Sequence, residues 1–316
     1  MIEARYAPAL LLASLVLGGC TTAQAPDVAG THLPLIVAHR GGTADFPENT
    51  LLAVENALRH NVDMLWLTVQ LSRDDVPVLY RPADLSANTQ GTGAVAEKTW
   101  AQLQQLNAGW QFKQTAADGR VTFPYRTQAV ALPSLQQALT AIPVTTPIIL
   151  DMKALPATPQ AAAVARVLEQ NHAWDRVWIY STDVSYQQAF AQYPKARLFE
   201  SRDRTRERLA NVALANNCNP TPQPGGWVAF EYQRKVDLVE TFTLGEARSA
   251  VNAKLWTPQA VDCFRANGES NILAIGVNNA DDYRAAACLK LNAVLVDSPR
   301  AMAAVKQRLE RPLRCR

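Results

Sequence analysis

Short apolar runs recur along the chain with room for one helix between most of them, and this alternation restricts the fold more than any other feature. The runs are Leu35–Ala38, Asp63–Leu71, Val76–Tyr80, Pro147–Asp151, Val177–Ser181, Arg197–Glu200, Trp227–Glu231, Ile272–Val277 and Ala293–Asp297. Most are short and continuously apolar, as strands covered on both faces should be. Helical spacing of apolar residues marks Thr50–His60, Ser134–Ala141, Pro159–Gln170, Ser185–Gln192, Pro258–Ala266 and Ala280–Lys290 between them. Repeated strand–helix units of this number predict an α/β fold, an eight-stranded βα barrel. An open, doubly wound sheet is the alternative, but the Gly-rich dinucleotide fingerprint it often carries is missing. One junction is irregular. Asp63–Leu71 and Val76–Tyr80 are joined only by Ser72-Arg73-Asp74-Asp75, too short for a helix, so a hairpin is expected there.

Arg81 to Val130 is polar and rich in Gly, Thr and Gln, with one helix expected over Thr99–Leu106. It reads as an excursion over one barrel mouth within a single domain spanning 35–316, the excursion being 81–130. Cys218 to Gly226 is a Pro-, Asn- and Gly-rich loop.

Chemistry concentrates behind the first run. His39-Arg40-Gly41-Gly42 follows it, and Pro47-Glu48-Asn49-Thr50 leads into the first helix. The carboxyl end of a strand is where α/β folds place their sites. An imidazole passes protons near neutral pH, a guanidinium matches the geometry of a phosphate, and Glu48 suits a metal or a base-orienting role. A His-Arg pair after a strand is, taken alone, more often a surface pair. The whole string is more specific than its parts.

A net charge of +3 is too small to imply nucleic acid, and no basic run is long enough to act as an electrostatic footprint, so no nucleic-acid partner is expected. At the N-terminus, Ala9 to Leu17 is apolar, follows Arg5 and ends in Leu17-Gly18-Gly19-Cys20. The run is too short to span a bilayer and fits a signal-peptide core over 1–19. Its ending resembles the bacterial lipobox, in which Cys20 is acylated; an ordinary cleaved signal with a chance Cys is the alternative. Thr21 after Cys20 favours an outer-membrane anchor facing the periplasm, with 20–34 as a tether. Cys218, Cys263, Cys288 and Cys315 then remain in an oxidising compartment. Three full pairings are open. Closure of local loops favours Cys218–Cys263 with Cys288–Cys315. None of these spacings resembles a zinc site.

A further set of words carries a resemblance. Besides His39-Arg40-Gly41 and Pro47-Glu48-Asn49-Thr50, the chain holds Val69-Gln70-Leu71-Ser72-Arg73-Asp74, Leu106-Asn107-Ala108-Gly109, Leu132-Pro133-Ser134-Leu135, Leu150-Asp151-Met152-Lys153, Val277-Asn278 and Val294-Leu295-Val296-Asp297-Ser298-Pro299. In order and spacing it resembles the glycerophosphodiester phosphodiesterases over almost the whole mature length. The resemblance implies a distorted TIM-type (β/α)8 barrel with a small insertion after the third strand. It also implies hydrolysis of lipid-derived glycerophosphodiesters aided by a divalent cation, Ca²⁺ or Mg²⁺. It places the first catalytic His on His39, the phosphate-contacting Arg on Arg40, metal-binding carboxylates on Glu48 and Asp151, and a cation on Lys153.

Departures from the family pattern are specific. The second strand has Trp66-Leu67-Thr68 where the family carries Glu-x-Asp, and Arg81-Pro82 stands where the second catalytic His-Asp falls. Ile275 replaces the Trp expected near Val277-Asn278. A hard cation needs several oxygen ligands, and guanidinium does not exchange protons near pH 7. Arg40, Arg81 and Lys153 would instead face the mouth as phosphate-binding cations. For Arg81 the structural alternative is a surface residue or a salt bridge to Asp84. His32, His60 and His172 read as structural or surface residues. Two functions follow from these residues: hydrolysis of a small phosphodiester using His39 and Arg40, or a phosphate-binding barrel without turnover.

Overall fold

The computed structural model describes residues 33–309 and 313–315. The expected signal segment 1–19, Cys20, most of the tether and His32 lie outside the described residues.

The barrel opens with β1 (Leu35–His39), followed by α1 (Leu51–Arg59), whose N-cap Thr50 accepts from the Ala53 amide. β2 (Met64–Leu71) and β3 (Pro77–Leu79) form the expected antiparallel hairpin, Leu71 opposite Pro77 and Val69 opposite Leu79. The following excursion contains α2 (Trp100–Leu103) and a small ladder of β4 (Gln114–Thr115) with β5 (Val121–Thr122). α2 is one turn, shorter than Thr99–Leu106; a Thr99–Gln102 capping box starts it. The barrel resumes with α3 (Leu135–Ala141), β6 (Ile148–Met152), α4 (Ala157–Gln170), β7 (Val177–Tyr180), α5 (Ser185–Phe190), α6 (Arg202–Ala215) and β8 (Trp227–Glu231). Next come a long hairpin, β9 (Arg234–Phe242) with β10 (Gly245–Ala253), then α7 (Pro258–Arg265), β11 (Asn271–Ile275), α8 (Ala280–Cys288), β12 (Ala293–Val296) and α9 (Pro299–Arg308).

β7, β6, β2, β1, β12, β11 and β8 pair in that order, every contact parallel. The remaining stave is the predicted Arg197–Glu200 strand, reduced to single parallel bridges from Leu198 to Ile179 and from Phe199 to Trp227. Together they make the expected distorted TIM-type barrel.

Period-two alternation sorts each strand. Val37, Met64, Trp66, Ile149, Tyr180, Phe199, Ala229, Leu273 and Leu295 share the barrel interior. Their neighbours face the helices in two outer cores, one including Leu65, Leu67, Ile148 and Leu150, the other Val228, Phe230, Ile272 and Val294. Both cysteine pairs are formed, Cys218–Cys263 and Cys288–Cys315, at Cα separations of 5.5 and 5.4 Å. α6 and the β9–β10 hairpin were not among the elements expected. α6 buries only Thr205, Arg208 and Leu209, and the hairpin is exposed along almost its whole length, so neither shows a core-facing apolar stripe.

Candidate active site

Continuing the inward-facing alternation one step beyond the apolar interior brings His39, Thr68, Asp151, Glu231 and Asp297 to the carboxyl-terminal mouth of the barrel. His39 is half-buried, and its Nδ1 lies 2.7 Å from Asp297 Oδ1. Thr43 Oγ1 donates to the same oxygen at 3.0 Å, and Asn278 Nδ2 donates to Oδ2 at 2.7 Å. The Asp297 amide donates back to Asn278 Oδ1 at 2.7 Å. The His39 hydrogen bond, helped by Thr43 and Asn278, holds the Asp297 carboxyl below its ordinary pKa against the opposing effect of burial. With Nδ1–H directed at a carboxylate, the neutral ring presents Nε2 as its proton acceptor.

Arg40 is turned by an unusual backbone. Arg40, Gly41 and Gly42 all have positive φ, at 51°, 83° and 112°. A Cβ at Gly41 would come within 2.9 Å of the Ala53 side chain, so the tight passage over α1 requires glycine. The Asn49 amide closes the loop on the Arg40 carbonyl at 2.8 Å. Arg40 Nη1 then pairs with Glu48 Oε2 at 2.6 Å, and Asn88, from the excursion, donates to Glu48 Oε1 at 3.2 Å. Arg40 Nε is buried without a hydrogen-bond partner among the described residues.

Lys153 and Asp151 leave β6 on one side. Lys153 Nζ sits 3.0 Å from Asp151 Oδ1, an ionic contact not aligned as a hydrogen bond, and 3.4 Å from Thr182 Oγ1. Thr68 Oγ1 donates to Asp151 Oδ2 at 3.4 Å, while its amide donates to Asn49 Oδ1 at 3.0 Å. Trp66, one step below, is 3% exposed and packs on Tyr180 with ring centroids 4.7 Å apart. Across the mouth Arg202 grips Glu231 with Nη2 at 2.5 and 2.6 Å from its two oxygens and donates to the Tyr180 hydroxyl at 3.2 Å. Burial raises the Tyr180 phenol to about 12, so it stays protonated at neutral pH.

The structure therefore gathers His39, Arg40, Glu48, Asp151 and Lys153 at one mouth. Arg81 lies where the β2–β3 hairpin returns to it: the Tyr80 amide bonds the Thr68 carbonyl, and Gln70 Nε2 holds the carbonyls of Tyr80 and Pro82. Its side chain is exposed and makes no hydrogen bond or ion pair among the described residues. Asp84 is not its partner; that carboxylate caps Leu85–Ala87 and accepts from the amides of Ser86 and Gly93. His60 caps the end of α1, and His172 is exposed in a left-handed turn. Sequence reasoning assigned no role to Asp297, Arg202 or Glu231. Their positions carried a signal, because Glu231 and Asp297 both end predicted strands.

The residues present do not suit a hard divalent cation. The two candidate carboxylates each carry a cation at contact distance, Glu48 from Arg40 and Asp151 from Lys153. Trp66 and Thr68 add no carboxylate to them, and no cluster of three or more His, Cys, Asp or Glu residues suited to a metal occurs among the described residues.

Residues 39–301 match the glycerophosphoryl diester phosphodiesterase family. An uncharacterized Mycobacterium tuberculosis protein is 48% identical over 94% of this chain and 97% of its own length. The crystal structure of that protein's glycerophosphoryl diester phosphodiesterase domain superposes with a TM-score of 0.80 at 47% identity, covering 87% of this chain and all of that one. An Oleispira antarctica phosphodiesterase, solved with the product sn-glycerol-3-phosphate, shares the fold at a TM-score of 0.62 and 21% identity, over 88% of this chain and 99% of that one.

Proposed function

The chain belongs to the glycerophosphoryl diester phosphodiesterase family, and from that premise we propose that its barrel mouth recognises the phosphodiester group of a glycerophosphodiester-type ligand without a divalent cation. Members of the family generally use such a cation. Here the positions that would hold it are Trp66 and Thr68, and the remaining carboxylates are neutralised internally. The observation that carries the reading is the convergence of His39, Arg40 and Lys153 on one mouth, with Arg81 beside them as a cation that makes no ion pair among the described residues. Arg81 supplies fixed positive charge of the kind that a phosphoryl group otherwise takes from a metal, and Arg40 and Lys153 add to it by donating to the phosphoryl oxygens alongside their carboxylate partners. His39 Nε2 is the ring nitrogen left for the ligand.

Retention of the His39–Asp297 pair favours a second reading, metal-independent hydrolysis of the same class of ester. In it His39 acts as the proton-transferring group and Asp297 fixes its tautomer. One experiment separates these readings. The purified protein is challenged with glycerophosphocholine, in EDTA and in Ca²⁺ or Mg²⁺, while turnover and melting temperature are followed together. Recognition alone predicts that glycerophosphocholine or glycerophosphate raises the melting temperature equally with and without metal, and that Lys153→Ala abolishes the rise, with no turnover. Turnover in EDTA that is lost in His39→Ala establishes the second reading. Turnover that requires Ca²⁺ or Mg²⁺ overturns the proposal.

Attachment through an acylated Cys20, placing the domain on the periplasmic side of an outer membrane, is the setting we propose for it. The support is the apolar run Ala9 to Leu17 ending in the Leu17-Gly18-Gly19-Cys20 word, with Thr21 after it. Mass measurement of the mature N-terminus tests it, an unmodified or absent Cys20 being the contrary result.

A further inference from the structure

Seven of the eleven large hydrophobic side chains exposed among the described residues fall on three connections, the others being Leu51, Val121, Val144 and Leu214. Leu155 (62% exposed) lies on the loop leaving β6, and Val184 (56%) on the loop leaving β7. Leu238 (53%), Phe242 (58%), Leu244 (99%) and Val251 (39%) lie on the hairpin that leaves β8. All three connections issue from the carboxyl-terminal rim, along one arc of the mouth. At the opposite end of the barrel only Val144 and Leu214 are comparably exposed among the described residues.

The hairpin sharpens the pattern. Directly paired residues share a face, so Phe242 and Gly245, Leu238 and Ser249, and Val236 and Val251 form one face with Glu240 and Ala247, and with Arg234 and Ala253 at its base. The other face carries Lys235, Asp237, Thr241, Glu246, Arg248 and Asn252, with Val239 and Ala250 among them. A lone two-stranded ribbon is marginally stable in water, and this one pairs with no other strand among the described residues. Only the base of this more apolar face, where Arg234 lies over the Phe230 ring, meets the barrel; Leu238, Phe242, Val251 and the uncharged tip, Phe242-Thr243-Leu244-Gly245, are exposed.

We propose that this arc seats the barrel mouth on a phospholipid surface, with the hairpin tip inserted among the acyl chains and Leu155 and Val184 resting at the interface. Apolar side chains divided among three separate connections, one hairpin and two loops, suit a fluid apolar phase, which requires no complementary shape. A second protein copy would demand a continuous, tightly packed patch. Basic and acidic residues balance on the hairpin, three of each (Arg234, Lys235, Arg248; Asp237, Glu240, Glu246). Insertion is therefore driven by apolar transfer and not by attraction to anionic lipid. The choice of lipid also rests on the proposed function, because the arc borders a mouth read there as a phosphodiester site and phospholipid headgroups are phosphodiesters.

The test uses the mature chain, residues 20–316, carrying Cys20→Ser, so that neither an acyl group nor the apolar signal segment contributes. A tryptophan is placed at Leu244→Trp, and in a control at Val144→Trp on the opposite end. Each is mixed with vesicles of phosphatidylcholine and phosphatidylglycerol with brominated acyl chains. The proposal expects the added Leu244→Trp emission to shift to the blue and be quenched, the Val144→Trp emission to do neither, and high salt to change little. Leu244→Asp should lower vesicle partitioning by about tenfold or more. Absence of quenching at Leu244→Trp, or equal quenching at both sites, overturns it. So does a concentration-dependent dimer, seen by sedimentation, that Leu244→Asp dissolves. No ligand need occupy the mouth in this assay, so its failure is distinct from failure of the phosphodiester reading.

Discussion

Individual side chains decide what the mouth can hold. Asp297 is the clearest case. Its carboxyl titrates below the ordinary value of 3.8, chiefly through the hydrogen bond from His39. A depressed carboxyl contributes stability that is fully present above its unfolded pKa and lost as pH falls through the folded one. The stability difference between the native chain and Asp297→Asn should therefore be larger at about pH 6 than at about pH 2.5, measured by urea unfolding at both. A difference independent of pH would contradict the assignment. Trp66 illustrates the opposite kind of residue, one whose work is packing. Lying between Tyr180 and Phe199 at 4.7 and 6.3 Å, it fills the barrel below the mouth. Trp66→Ala should cost about 3–5 kcal/mol in urea denaturation, far more than Arg81→Ala, whose side chain is exposed.

Elements were legible from the sequence in proportion to the apolar surface they bury. The barrel strands announced themselves as continuous apolar runs because helices cover them outside and side chains fill them inside. α6 did not, since ion pairs anchor it: Arg208 with Glu200 at 2.8 Å and Arg202 with Glu231. Charge pairing leaves no periodic trace. The β9–β10 hairpin escaped for a related reason, its two faces mixing polar and apolar residues with no core to select between them. The site was half legible. His39, Arg40, Glu48, Asp151 and Lys153 stood in recognisable words with roles attached; Asp297 stood in one without a role and Arg202 and Glu231 in none, and these three acquire theirs only when barrel closure brings distant strand ends together. Local loop closure correctly favoured the cysteine pairing. The Cys218–Cys263 bond ties the loop before β8 to α7 across a separation of 45 residues. A Cys218→Ser, Cys263→Ser chain should lose about 4 kcal/mol by the loop-entropy relation, read from guanidinium unfolding. No loss would mean that the loop is held equally well by its other contacts, such as Arg208 to the Pro220 carbonyl.

At the scale of the whole molecule the ring is uneven. Six of its strand pairs are ladders of three or more registered residues, whereas the stave between β7 and β8 is attached by one bridge on each side. The Phe199 amide reaches the Ile179 carbonyl at 2.9 Å, and the Glu200 amide reaches the Trp227 carbonyl at 2.8 Å. Wedged aromatic rings, Phe199 against Tyr180 and Trp227, brace this seam where backbone bonds are sparse. A closed cylinder under thermal agitation parts where its stitching is thinnest. Native-state deuterium labelling should accordingly show Phe199 and Glu200 exchanging faster than Val37, Leu67 or Leu295, and Phe199→Ala should widen that gap. The hoop would then behave as a clasped bracelet, with its clasp between the arms bearing Tyr180 and Glu231. Arg202, which bonds both of those residues, spans the clasp from above, so a ligand that draws Arg202 away would loosen the bracelet as it binds.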